Sequence, residues 1–148
     1  NKLDGSTAFT IGAAVTPEAD LVGPVLAKFE VKVKAGAQFF QTQAVYHPDV
    51  FASFMKQARP FNVKVLAGIL VLRNYKMAEF MNANIPGMSV PSEMIDELKA
   101  AGEKAEDVGV DIAVRTIKAV RPHCDGVHIM AIKATHRLAE IITKAELN

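Results

Sequence analysis

Four short apolar runs, at residues 9–15, 38–43, 63–70 and 126–132, limit what this chain can fold into more than any other feature. FTIGAAV, QFFQTQ, VKVLAGIL and GVHIMAI each have the length of a strand, and each is followed by residues with apolar side chains at helical spacing. The runs are nearly continuous rather than alternating, as in strands covered on both faces. Parallel neighbours need long crossover connections, most often helices, so strand and helix alternating four times predicts a parallel α/β architecture.

The helical segments carry their own signals. Thr16-Pro17 breaks the first run, and a helix is expected to start at Asp20, with Val22, Leu26, Phe29 and Val33 on one face, Pro24 in its first turn and Gly36 past its end. Pro48 and Asp49 open a second helix, with Phe51, Phe54, Met55 and Ala58 inward and Pro60 closing the unit. Asn74 is expected to cap a third, carrying Met77, Phe80 and Met81. NIPGMSVPSE interrupts the pattern, and Ser92 is expected to cap a short helix ending at Gly102. Val110, Ala113, Val114, Ile117 and Val120 mark a longer helix; Leu138, Ile141, Ile142 and Ala145 mark the last.

With 148 residues the chain is expected to form a single domain, 1–148, burying roughly 70% of its unfolded surface. Four strands are too few for a closed (β/α)8 barrel, which takes about 250 residues; the residues alone allow either a small open sheet or half of something larger. Seventeen basic side chains against sixteen acidic ones leave no electrostatic footprint for nucleic acid or an anionic membrane. Cys124 stands alone, which excludes an internal disulfide and fits a reducing compartment. No apolar run approaches the roughly 18 residues of a membrane span, and the start NKLDGSTAF lacks a signal-peptide core, so a cytoplasmic location is expected. His123, Cys124, His128 and His136 match no metal-ligand spacing, and no G-x-G-x-x-G or Walker motif is present.

The candidate site lies at the end of the second run. In parallel α/β folds ligands bind at the carboxyl ends of the strands, where Gln41, Thr42 and Gln43 fall. An uncharged amide both donates and accepts hydrogen bonds, which suits a ring bearing amide and amine groups. Gln43 is the residue expected to carry binding.

IGAAVTPEAD, KVKAGAQFFQTQAVY, LAGILVLRNYKMAEFMNANIPG and GVHIMA, in that order, resemble the second half of methylenetetrahydrofolate reductase. That family is an FAD-dependent (β/α)8 barrel reducing 5,10-methylenetetrahydrofolate to 5-methyltetrahydrofolate. The resemblance runs from about Phe9 to Leu147 and makes the four strands the fifth to eighth of such a barrel. It implies that Gln43, with Thr42 beside it, contacts the folate pterin and that Phe80 or Met81 packs on the substrate rings. It also implies that Lys32 contacts FAD and that Thr16, in TPEA, stands where many members have a flavin-lining histidine.

Other positions depart from the family pattern. A substrate-contacting arginine position falls at Ala134, and His47 replaces a carboxylate after the aromatic run. The catalytic glutamate and the aspartate near the flavin belong to the first four strands, so no catalytic residue is expected within this sequence. The resemblance thus implies part of a folate-reducing flavoprotein, completed by the other half-barrel. The alternative is a non-catalytic half-barrel that binds a partner or forms a homo-oligomer through its bare sheet edges.

Overall fold

The computed structural model describes residues 4–5, 7–19 and 22–147. Its four strands, β1 (Gly12–Val15), β2 (Phe39–Ala44), β3 (Lys64–Leu70) and β4 (Gly126–Met130), form one parallel sheet in sequence order. Helices α1 (Val22–Lys34), α2 (Pro48–Ala58), α3 (Tyr75–Asn84), α4 (Ser92–Ala101), α5 (Ala105–Val120) and α6 (Leu138–Lys144) alternate with them. A strand order that never reverses distinguishes this sheet from a doubly wound one and matches consecutive staves of a (β/α)8 barrel. The chain is α/β, consistent with part of such a barrel.

Local chemistry sets the element ends. Gly36 follows α1 at φ 102°; its N–H donates to Val33 O at 2.9 Å and the Ala37 N–H to Lys32 O at 3.0 Å, closing the helix in a Schellman motif that only a residue at ease with positive φ accommodates. Pro48 opens α2 where its missing N–H costs nothing. Asn74 caps α3 by accepting the Met77 N–H at 2.9 Å.

The first core lies between one face of the sheet and α1, α2, α5 and α6. Phe29 stacks on Phe40 with ring centroids 4.0 Å apart and meets Phe54 and Phe61 edge-on at 5.8 and 5.5 Å. Around this aromatic cluster pack Phe51, Val65, Ile69, Val110, Ile117 and Ile141, all at most 1% exposed. Each such side chain contributes about 1.5–3 kcal/mol by leaving water. A second core, of Ala44, Tyr46, Leu70 and Leu72 with Ala78, Val90, Leu98 and Ile112, lies at the carboxyl ends of β2 and β3 beneath α3 and α4. Asn82 ties down the segment between those helices, its Oδ1 accepting the Val90 N–H at 2.7 Å and its Nδ2 donating to Val90 O at 2.9 Å.

Several expectations need correction. β1 is only Gly12–Val15; Phe9 and Ile11 are 79% and 51% exposed, because no strand or helix among the described residues covers them. β4 stops at Met130 rather than at residue 132, and Lys133 turns the chain at φ 56°. Continuous hydrophobicity does not mean cover on both faces here: Gly12 and Ala14 are exposed and β4 is half-buried throughout, because the described residues leave the sheet's second face uncovered. On α3 the buried residue is Ala78, with Met77 and Met81 half-buried and Phe80 57% exposed. Ser92 is the first residue of α4 and makes no capping bond; extended Pro91 precedes it. The expected helix start at Asp20 lies outside the described residues.

Candidate functional site

The carboxyl end of β2 is irregular. Gln41 pairs with Leu66 but Ala44 pairs with Gly68, so β2 spends one residue more than β3 over the same stretch. Such a bulge inverts which side chains face which layer. Phe40, an even position, packs in the first core, and beyond the bulge so does odd-numbered Val45, while Ala44 and Tyr46 turn to the second. Gln43 sits at the bulge and is exposed.

Gly68 is wrapped by this bulge. Its N–H donates to Thr42 Oγ1 at 2.8 Å, its carbonyl accepts the Val45 N–H at 2.9 Å, and Thr42 Oγ1 donates to Gln43 O at 2.6 Å. A Cβ at position 68 would overlap the Thr42 carbonyl and stand 2.7 Å from Gln43 O. Thr42 is 4% exposed, so its hydroxyl is spent inside the protein rather than offered to a ligand. Before the bulge, Phe39 and Gln41 line an open hollow of about 340 Å³ with Gly12, Ala13 and Ala14 on the uncovered face.

Thr16 and Lys32 come together in a second groove of about 410 Å³, with Val15, Val25, Lys28 and Pro86 among its lining. Lys32 Nζ donates to Ala14 O at 2.6 Å, which draws the ammonium back along α1 to the sheet edge. Gly87 closes the groove against Thr16; a Cβ there would stand 2.5 Å from Thr16 Cγ2. Two ammonium groups and a hydroxyl beside apolar walls suit a phosphate-bearing ligand with an apolar portion, so the donor set fits FAD. Gln43 and Phe80 are not part of this groove.

Glu18, which the sequence did not single out, joins the two loops at this end of the sheet. Its side chain is 3% exposed; Oε1 accepts the N–H groups of Tyr46 and His47 at 2.9 and 2.7 Å, and Oε2 lies 3.1 Å from His47 Nδ1. His47, standing where relatives are expected to have a carboxylate, thus receives one from the neighbouring loop. Burial, with Glu18 adding to it, pushes the Tyr46 phenol well above its ordinary pKa, and this hydroxyl stays protonated. The Tyr46 hydroxyl and His128 Nδ1 are buried polar atoms without a partner among the described residues.

Of the alternatives Phe80 and Met81, the ring of Phe80 is free while Met81 packs on the second core. Ala134 is fully buried. The nearby Arg137 does not replace an arginine at position 134, being held by Asp107 at 2.9 Å and Glu140 at 2.8 Å. Among the described residues no group of three acidic, histidine or cysteine side chains could hold a metal, and no helix is long and apolar enough to cross a membrane. Burial raises the pKa of the Cys124 thiol despite hydrogen bonds from Gly126 and Ala67, which makes it a poor nucleophile.

Consecutive parallel strands alternating with helices are consistent with part of a (β/α)8 barrel, a fold whose ligand sites lie at the carboxyl ends of the strands. A family model, methylenetetrahydrofolate reductase, matches residues 6–146, and the chain belongs to that family. Methylenetetrahydrofolate reductase 2 of Schizosaccharomyces pombe is 31% identical over 137 residues, covering 80% of this chain and 21% of that protein. Methylenetetrahydrofolate reductase (NADH) 1 of Arabidopsis thaliana is 30% identical over 104 residues, covering 66% and 17%. The chain therefore spans about a fifth of the length of these relatives. In structure it resembles an uncharacterized protein from Clostridium thermocellum that binds two copies of 5-methyl-5,6,7,8-tetrahydrofolic acid. The TM-score is 0.62 at 19% identity, over 93% of this chain and 51% of that one, a likeness of fold.

Proposed function

We propose that this chain forms the folate- and flavin-facing half of a methylenetetrahydrofolate reductase barrel. The observation that carries the proposal is Gln43, an exposed amide at the carboxyl end of a barrel strand, held there by a bulge. Its amide would donate to and accept from the pterin edge, and the exposed ring of Phe80 would cover the substrate's flat face. Lys32, with Lys28 and Thr16, would hold the phosphates of FAD in the groove beside α1. The chemistry FAD supplies when bound is hydride transfer to the one-carbon unit of the folate. Within this half the residues bind and orient; groups that exchange protons with the substrate would come from the other half-barrel.

The uncovered sheet face favours a second reading, a half-barrel whose work is association. Gly12 and Ala14 are exposed on it, Phe9 and Ile11 flank it, and β1 and β4 end the sheet. Bare parallel edges of this kind pair readily with other strands. The visible spectrum of the purified protein with excess FAD, followed by sedimentation, separates the two. Bound flavin that is lost in Lys32→Glu supports the reductase reading. A self-associated protein that never takes up flavin supports the second.

A further inference from the structure

We propose that Thr42 is a positioning residue, its hydroxyl locking the β2 bulge against Gly68 and so fixing where Gln43 presents its amide. The functional consequence rests on reading Gln43 as the pterin ligand; the positioning itself does not. Two bonds hold Gly68 and a third ties them together: Thr42 Oγ1 accepts the Gly68 N–H, the Val45 N–H donates to the Gly68 carbonyl, and the Thr42 hydroxyl donates to Gln43 O. Residues 42 and 45 are thereby clamped on the same partner, and Gln43 lies in the span between them.

The hydroxyl is necessary to this arrangement. In an undistorted ladder the Gly68 N–H would bond a backbone carbonyl of β2; at the bulge a side chain takes that place. Valine has nearly the shape of threonine but cannot accept, leaving a buried N–H unbonded. The strand can recover that bond only by sliding its register, which carries Gln43 to a different place. Serine keeps the hydroxyl and loses only a methyl group. Thr42 thus acts on the ligand through Gln43, without touching it.

The test compares Thr42→Val, Thr42→Ser, Gln43→Ala and the Thr42→Val/Gln43→Ala double variant of the full chain. Amide exchange and side-chain NMR come first, then titration with 5-methyltetrahydrofolate. In Thr42→Val the Gly68 amide is expected to exchange about tenfold faster or more, and the Gln43 side-chain amide signals to move; Thr42→Ser restores both. Ligand affinity should fall about tenfold in Thr42→Val, with no further loss on adding that change to Gln43→Ala, since residues acting as a unit are non-additive.

Gln43 signals that stay in place in a folded Thr42→Val protein overturn the proposal, as does, where Gln43→Ala itself weakens binding, an equal affinity loss on adding Thr42→Val to it. If the valine variant does not fold, the unaltered chain decides: a slowly exchanging Thr42 hydroxyl proton close to the Gly68 amide is required, and its absence overturns the proposal. If Gln43 moves as expected but affinity ignores Gln43→Ala, the pterin reading of Gln43 is lost and the positioning stands.

Discussion

The Glu18 carboxylate accepts the backbone N–H of His47 at 2.7 Å and lies 3.1 Å from the same residue's ring nitrogen, binding the loop after β1 to the loop after β2. A carboxylate 3% exposed that takes two backbone N–H groups does what a stretch of ladder would otherwise do. Glu18→Ala leaves two N–H groups without their acceptor and is expected to cost about 2–3 kcal/mol in urea unfolding. Glu18→Gln keeps one acceptor oxygen and should cost less. Equal, negligible effects of both would contradict a clamping role.

Gly68→Ala tests the tightness of the bulge directly. The added methyl meets two backbone carbonyls, which cannot rotate away as a side chain can. A loss of about 2–4 kcal/mol is expected by thermal or denaturant unfolding. A change below about 0.5 kcal/mol would mean that the strands at this point move apart freely.

Much of this fold is visible in the sequence. β2, β3, α2 and α5 follow from their apolar spacing, and Pro48, Asn74 and Gly36 mark boundaries by mechanisms the structure displays. The length of β1 is not legible in the sequence, because Phe9 and Ile11 are as apolar as covered residues, and hydropathy does not register whether anything lies over them. Continuous apolar runs failed for the same reason to reveal the open face of the sheet.

The bulge leaves a subtler trace. Phe40 and Val45 share one core although they are an odd number of residues apart, a parity no regular strand allows. Gln-Thr-Gln reads as an ordinary strand end, so the exposure of Gln43 and the burial of Thr42 appear only in three dimensions. Glu18 carries no sequence pattern, being a lone loop carboxylate; its one signal is its place just past a strand end.

At the opposite end of the sheet, Asp125 ties β3 and the approach to β4 together. Burial disfavours its charge, but the Val65 N–H, Lys64 and Arg59 outweigh that and hold its pKa below the ordinary 3.8. A depressed carboxyl pKa contributes stability that is present above its unfolded value and lost as pH falls through the folded one. Stability should therefore decline as pH drops below about 4, and less steeply in Asp125→Asn. Denaturant midpoints measured from pH 6 to pH 2 check this; identical slopes in the two proteins would exclude Asp125 as a contributor.

Lys32 is exposed and makes one hydrogen bond among the described residues, to Ala14 O. Lys32→Met should change stability by less than about 1 kcal/mol while weakening FAD uptake about tenfold, since a phosphate loses its cation. Flavin fluorescence on titration separates the two effects. Unchanged uptake would remove Lys32 from the flavin site.

Gln43 is the group proposed to meet the folate ring. The most direct measurement is calorimetric titration of 5-methyltetrahydrofolate into the unaltered chain and into Gln43→Glu. Glutamate preserves length but replaces the amide donor with a charge, so a fall in affinity of about tenfold or more is predicted with the fold intact. Equal affinity in the two proteins, or no binding to the unaltered chain, would contradict the assignment.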